Sequence, residues 1–462
     1  MAFWRTLAVS ALALSGVQAA HAGGHDIDVK EVDRRAQKLI KQRGMVGLAI
    51  AVIDDGEIVF AKGYGKTSNS RSSQPVSEGT VFRWASLSKS VAAATALSVA
   101  EDGHFDLPTP VEEVATHIDL PREGVTLEHV LSHQVGITRN AFDPVVESNR
   151  SRAHIKDKLS EAKAICAPGQ CHSYQNVAYD LSADMVESAL DVPYRAVVNA
   201  RIFEPLGMDT ASVSHEGLTT SADWARPHNS SGRPYNHVKP TYYRVPAAAG
   251  VNSSITDLAK WVIANMDGAD SPVSEAAREA MQSPRTRTQR RQRQMRRKYP
   301  FLTNAQYGLG WRLYDYKGGG RVVAHRGAVM GYRANAMFDP ATGDGVVMLW
   351  NSNSSRPHGL AYEVMDQAYG LKKTDWLRLN PPPSTVRLAK GPAKTAPKLI
   401  KTVPIETLTA EAVPTPAIPG EPAALTAADI ERIIAEEDAR LMADALAATC
   451  PCPEDEALSG NE

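Results

Sequence analysis

The chain has 462 residues, 43% hydrophobic and 22% charged, with 51 Lys+Arg against 52 Asp+Glu. That composition excludes collagen-like, wholly disordered and polytopic membrane classes. At about 150 residues per domain the length allows roughly three units, ample for a core closed without disulfides or metals, and four cysteines are too few for a disulfide scaffold.

In chain order, Met1 to Arg5, the small apolar run Thr6 to Val17 and then Ala20-His21-Ala22 read as a secretory signal peptide over residues 1–22. A lone membrane anchor fits less well, because about a dozen apolar residues fall short of the ~20 that a bilayer core needs. The expectation is a periplasmic or secreted protein. No cysteine follows the small-residue site to carry a lipid, and no membrane span is expected in the mature chain.

Residues 29–43 place Val29, Val32, Ala36, Leu39 and Ile40 at helical spacing, and Gly44 ends the pattern. Val46 to Ile53 and Ile58 to Ala61, joined through Asp54-Asp55-Gly56, predict a hairpin. Thr80 to Trp84 reads as a short extended segment before Ser90 to Ala100, a helix apolar on nearly every face and therefore buried. A long, mostly helical middle follows. Trp311 to Tyr316, Arg321 to His325, Arg333 to Phe338 and Gly345 to Trp350 are β-rich runs broken by Gly318-Gly319-Gly320 and by Asp339 to Asp344. Strands at both ends enclosing helices predict an α+β fold, an antiparallel sheet flanked by helices with an inserted all-helical subdomain. A ligand cleft belongs at the junction of the two.

The main body is expected over residues 28–370. Ten of the 29 prolines fall between Pro381 and Pro422, so 371–425 reads as a Pro-rich linker. Thr426 and Asp429 then make an N-cap signal for an acidic C-terminal helix and tail over 426–462. Charge is uneven along the chain. Arg285 to Lys298 holds eight basic residues and no acid, whereas Ala427 to Glu462 holds ten acids and two arginines. The basic run reads as a solvated, mobile surface insertion. Contact with a cell-wall or anionic envelope surface, or with the chain's own acidic tail, is the alternative, and the tail is expected to shield the run. Nucleic acid is disfavoured because no aromatic residue interleaves the arginines.

Three short motifs carry chemistry. Ser86-Leu87-Ser88-Lys89 is an S-x-x-K sequence at the head of the buried helix, where residues three apart share a face and the amine sits one turn from the hydroxyl. Burial lowers a lysine pKa, so Lys89 can accept the serine proton, and the helix N-terminus favours negative charge beside it. A second S-x-x-K, Ser160 to Lys163, lies among Lys156, Asp157, Lys158 and Glu161 and reads as a solvated helix face. Tyr174-Gln175-Asn176 supplies a phenol able to relay a proton and a carboxamide able to hold a substrate amide. His325-Arg326-Gly327-Ala328 closes a predicted strand whose edge can offer a backbone N–H opposite that of Ser86, with Gly327 admitting substrate to the backbone. Cys166 and Cys171, five positions apart across Pro168-Gly169, favour a local disulfide, although four cysteines allow three connectivities. No metal-ligand set and no cofactor motif is present.

The order S-x-x-K, Y-x-N, H-x-G resembles the serine β-lactamase and penicillin-binding protein superfamily, in its class C β-lactamase, D,D-carboxypeptidase and family VIII esterase branch. Leu127 to Gly136, Phe203 to Met208, Pro246 to Gly250, Ser253-Ser254, Asp257 to Lys260 and Tyr307 to Trp311 look like segments of the same family. The resemblance implies that Ser86 is the acylated nucleophile, that Lys89 and Tyr174 share the base role, and that Asn176 holds the substrate amide. It also implies that His325 takes the third motif's cationic position and that the Ser86 and Ala328 N–H groups form the oxyanion hole. His325 departs from the lysine of class C β-lactamases, and its charge is expected to titrate near neutrality. Arg326 stands where a small hydroxyl residue usually helps bind substrate carboxylate, and would either replace that contact or point away. The implied activity is an exported serine hydrolase, without metal or cofactor, acting on small-molecule or peptide substrates such as a β-lactam, a D-Ala peptide or a short-chain ester. The alternative is a non-hydrolytic penicillin-binding or cell-wall peptide-binding sensor.

Overall fold

The computed structural model describes residues 26–71 and 73–379; the leader and the acidic tail lie outside the described residues. The architecture is α+β, built on an eight-stranded antiparallel sheet in which the N-terminal hairpin forms one end and pairs with the last strand of the chain. Helix α1 (Val29–Ile40) is capped by the Asp28 carboxylate, which accepts from the Lys30 and Glu31 N–H groups. It leads into β1 (Gly47–Asp54) and β2 (Glu57–Gly65), the expected hairpin. Two residues, β3 (Phe82–Arg83), pair with β4 (Asn252–Ser253) outside the main sheet. Between β3 and β4 the chain forms the helical lobe, with α2 (Ser88–Glu101) and α3 (Leu181–Leu190) at its centre, and α4 (Ile255–Ile263) returns it to the sheet.

The sheet is completed by β5 (Thr286–Arg287), β6 (Leu302–Tyr307), β7 (Arg312–Tyr316), β8 (Arg321–Val329), β9 (Tyr332–Asp339) and β10 (Asp344–Trp350). Helix α5 (Gln289–Lys298) lies between β5 and β6, and α6 (His358–Ala368) follows β10. The four predicted C-terminal strands match β7 to β10 to within a few residues. Both faces of the central strands are covered, so they read as nearly continuous apolar runs, and their two-residue period divides the core. On β1, Ala49, Ala51 and Ile53 face α4 and the core of the lobe, while Leu48, Ile50 and Val52 face the layer formed by α1 and α6. No helix among the described residues is long and apolar enough to cross a membrane.

Two expectations about organisation change. The basic run is ordered secondary structure: Thr286 and Arg287 form the edge strand of the sheet, Arg290 to Lys298 belong to α5, and Met295 buries that helix against the α1/α6 layer. Polarity on nine of the ten positions of α5 hid the single apolar anchor, and the run's register on β6 with it. The body also extends past residue 370. Leu377 is buried, Trp376 stacks against Phe301, and Asp375 pairs with Arg35, so packing continues to Leu379.

Candidate active site

Ser86 sits in a 3-10 turn, Ala85–Leu87, wedged between β3 and α2. Ala85 adopts φ 51°, a left-handed conformation costly for a residue with a Cβ, so the turn is held there by its surroundings. Ser88 ties the turn down: its hydroxyl donates to the Ala85 carbonyl and accepts from the Val251 N–H at 2.9 Å. The turn then runs directly into α2, which is buried on nearly every face as its composition requires.

Lys89 is fully buried one turn along. Its Nζ lies 3.5 Å from Ser86 Oγ, 2.8 Å from Asn176 Oδ1 and 2.9 Å from the Ala248 carbonyl oxygen. Desolvation pushes its pKa down, opposed by Tyr174 and Asp143. A neutral amine donates two hydrogens and keeps one lone pair. With Asn176 and Ala248 taking the two hydrogens, the lone pair is left for the Ser86 hydroxyl. The Asn176 carboxamide is fixed in turn by Asp143, whose carboxylate accepts from Nδ2 at 3.0 and 3.2 Å. Burial raises the Asp143 pKa to about 6, against the pull of Asn176 and Lys89.

The Tyr174 ring has Lys89 Nζ 4.8 Å from its centroid, with the guanidinium carbons of Arg312 at 5.5 Å and Arg139 at 5.9 Å. Its other close neighbour is His133, at 4.1 Å between centroids. Gln175, the middle residue of the motif, holds the loop rather than substrate: its side chain accepts from the Ala141 N–H and donates to the Ile137 and Thr138 carbonyls. Cys166 and Cys171 form a disulfide just ahead of this segment.

The third motif departs from expectation at His325 and Gly327, and Arg326 takes the second of the two courses open to it. His325 is buried and hydrogen-bonded to Tyr307 Oη at 3.2 Å, and its pKa is held far below the usual imidazole range by desolvation and by Arg312 and Lys89. It is therefore neutral near pH 7, and the cation facing the Tyr174 ring from this side is Arg312. Arg326 points away: strand alternation puts it on the α1/α6 face of β8, where its guanidinium donates to Tyr362 Oη of α6. Gly327 does not open a path for substrate. A Cβ there would lie 1.8 Å from the Trp84 carbonyl oxygen, so the missing side chain lets β8 close on the turn that carries Ser86.

Ala328 remains on the site side. The β8–β9 hairpin closes through the two-residue Met330-Gly331 turn, which makes Val329 and Tyr332 a hydrogen-bonded pair. Alternation then aims the Ala328 N–H at the other edge of β8, which β7 leaves free because its pairing stops at Ala324. That edge packs against the Ser86 turn. The motifs thus gather Ser86, Lys89, Tyr174, Asn176 and the Ala328 backbone at one point between sheet and lobe. Four contributors were not anticipated: Asp143, His133, Tyr307 and Arg312. Of these, His133, Tyr307 and Arg312 lie in or next to segments already singled out, Leu127 to Gly136 and Tyr307 to Trp311. The second S-x-x-K sits in a surface turn, where Lys158 pairs with Glu161 and the Ser160 hydroxyl caps its own turn.

Residues 32–369 match the model of the Beta-lactamase family. Unguisins hydrolase ungD' of Aspergillus campestris is 27% identical over 71% of this chain and 64% of its own, so the chain spans just under two thirds of that relative. The D-alanyl-D-alanine-carboxypeptidase/endopeptidase AmpH of Escherichia coli is 28% identical over 50% of this chain and 60% of its own. Among solved structures, the octameric penicillin-binding protein homologue from Pyrococcus abyssi superposes with a TM-score of 0.67 at 25% identity, covering 76% of this chain and 80% of that one. With the family pattern spanning the sheet, the helical lobe and every residue of the site, the chain belongs to the beta-lactamase family.

Proposed function

We propose that this family hydrolase is an exported enzyme that forms an acyl-enzyme on Ser86 with a small amide or ester, a β-lactam, a D-Ala peptide or a short-chain ester. The observation that carries the reading is the Lys89 amine, fully buried, held by Asn176 Oδ1 and the Ala248 carbonyl oxygen and 3.5 Å from Ser86 Oγ. Lys89 takes the serine proton as Oγ attacks the carbonyl carbon, and the Ser86 and Ala328 N–H groups receive the developing oxyanion. Asn176 orients both the amine and the substrate amide. Tyr174, beside two guanidinium groups, returns the proton to the leaving group, and a water molecule then cleaves the ester bond to Ser86. Export is supported by the leader-like first 22 residues and by the Cys166–Cys171 disulfide, which suits an oxidising compartment.

The test is intact-mass analysis of wild type and Ser86→Ala after exposure to a penicillin, a chromogenic ester and a D-Ala-D-Ala peptide. Wild type should gain the acyl mass of at least one and release it with continued turnover. Labelling or turnover in Ser86→Ala would remove Ser86 from the reading. A stable adduct with no steady state would mark a sensor instead.

A further inference from the structure

Beside Tyr174 lies a cavity of about 680 Å³ lined by five arginines, 139, 287, 290, 291 and 312, and by no aspartate or glutamate. None of the five makes an ion pair among the described residues; of the whole basic run only Arg285 does, with Glu128 at 3.3 Å. The guanidinium groups oppose one another: burial together with Arg290 and Arg312 pulls the Arg139 pKa down. Arg291 alone has a side-chain hydrogen-bond partner, Tyr314 Oη at 3.3 Å. A second feature points at the same space. Thr288, Gln289, Arg290 and Arg291, the cap and first turn of α5, line the cavity, and this helix start has neither a side-chain cap nor an acidic residue. Cations normally avoid a helix N-terminus, where free N–H groups already carry partial positive charge. Here arginines crowd it, and the only species that relieves both is an anion.

We propose that this cavity is an anion subsite, formed by Arg139, Arg290, Arg291 and Arg312 with the first turn of α5, that takes a substrate substituent carrying two or more negative charges. Arg312 and Tyr174 belong both to this cavity and to the Ser86 site, so a ligand seated on the arginines extends toward the reacting centre. The proposal rests on the Ser86 reading only for the word substrate; the anion site stands on its own geometry. Carboxylates and phosphates share the required chemistry, and guanidinium groups bind either in bidentate fashion.

Titration calorimetry of the full chain at fixed ionic strength, with inorganic pyrophosphate and with tricarballylate against a sodium chloride control, tests the site directly. Each should bind the wild type more tightly than chloride, and the tighter of the two names phosphate or carboxylate as the group preferred. The Arg139→Gln/Arg290→Gln variant should bind at least about tenfold more weakly, the loss expected when charge-assisted hydrogen bonds are removed. Arg290→Gln alone, on the helix surface, guards against misfolding and should show part of the same loss. Equal affinity in wild type and both variants, or no binding beyond the chloride control, overturns the proposal. For the link to substrate, kcat/KM is compared for the dianionic mono-4-nitrophenyl ester of tricarballylic acid and for 4-nitrophenyl acetate. The charged-to-neutral ratio should fall about tenfold in the double variant, and an unchanged ratio refutes the substrate role. Loss of both esters in Ser86→Ala with intact pyrophosphate binding keeps the two readings separable.

Discussion

Tyr307 Oη lies 3.2 Å from His133 Nε2 and 3.2 Å from His325 Nε2, and the outer nitrogens of both rings fix which way the protons run. His325 Nδ1 faces the Arg326 carbonyl, an acceptor, so it carries the hydrogen and Nε2 accepts from Tyr307. His133 Nδ1 accepts from the Gln175 N–H, so its Nε2 donates to Tyr307. All three side chains are buried and neutral, and the chain behind Tyr174 is satisfied without a charge. Both histidine pKa values are pushed far down, chiefly by desolvation. The unfolded chain therefore binds protons below about pH 6.5 that the folded chain refuses, and stability rises with pH up to that value and is lost below it. The expected result is that long-range ¹H–¹⁵N spectra show His325 as the Nδ1–H tautomer and His133 as the Nε2–H tautomer, both unchanged from pH 6 to 8. A titrating His325 in that range would restore a cationic third motif. Motif order led directly to Ser86, Lys89, Tyr174 and Asn176 because their spacing is local. The charge of His325 was not legible, since it depends first on burial and then on Arg312 and Lys89, all supplied by other elements. The direction of Arg326 was legible: on a strand it has to face away from its neighbour His325.

At the level of elements, the position of Ser86 depends on how closely β8 approaches the turn between β3 and α2. The Trp84 carbonyl occupies the space of a Gly327 side chain, and Ala334 on β9 would sit 3.2 Å from the same Cβ. Neither is the end of a flexible side chain. Gly327→Ala must push β8 away from the turn, which separates the Ala328 N–H from Ser86 as it strains the ladder. The expected cost is about 1–3 kcal/mol of stability, the range for overpacking a close contact, with a larger proportional fall in Ser86 acylation. Urea unfolding and the rate of acyl-mass gain measure the two. A variant that acylates at the wild-type rate would show that the oxyanion donor is not on β8. Strands β1, β2 and β7 to β10 were legible because their β-rich apolar runs stop at Asp54 to Gly56, at Gly318 to Gly320 and at Asp339 to Asp344, whereas β5 and β6 were not read from the sequence. Helix α5 was not, because one buried methionine among six cations carries no periodic signal, and its placement comes from β5 pairing with β6.

Over the whole molecule, the sheet separates the lobe that carries the motifs from a second layer that carries none of them. That layer joins the two ends of the body: α1, near residue 30, packs on α6, near residue 365, through Arg35. The buried Arg35 guanidinium donates in bidentate fashion to Glu363 at 2.5 and 2.7 Å and also to Asp375, and Glu363 accepts from the Leu377 N–H. Burial raises the Glu363 pKa while Arg35 pulls it down, so the carboxylate depends on its cation to stay ionised. Sequence pattern showed the amphipathic face of α1 but gave no hint that Arg35 lies within it, because a buried arginine is indistinguishable from a solvated one until its partners, more than 300 residues away, are in place. Replacing one member of a buried pair strands the other, which costs about 3–5 kcal/mol. Arg35→Met should lower unfolding stability by that amount near pH 7 while leaving Ser86 acylation per folded molecule unchanged, since the sheet stands between the two. Adding Glu363→Gln should recover part of the loss by removing the stranded charge. Denaturant titration of the single and double variants, with acylation measured in the folded baseline, decides the matter. If Arg35→Met loses less than about 1 kcal/mol, the pair is solvated and the two ends are held by apolar packing alone.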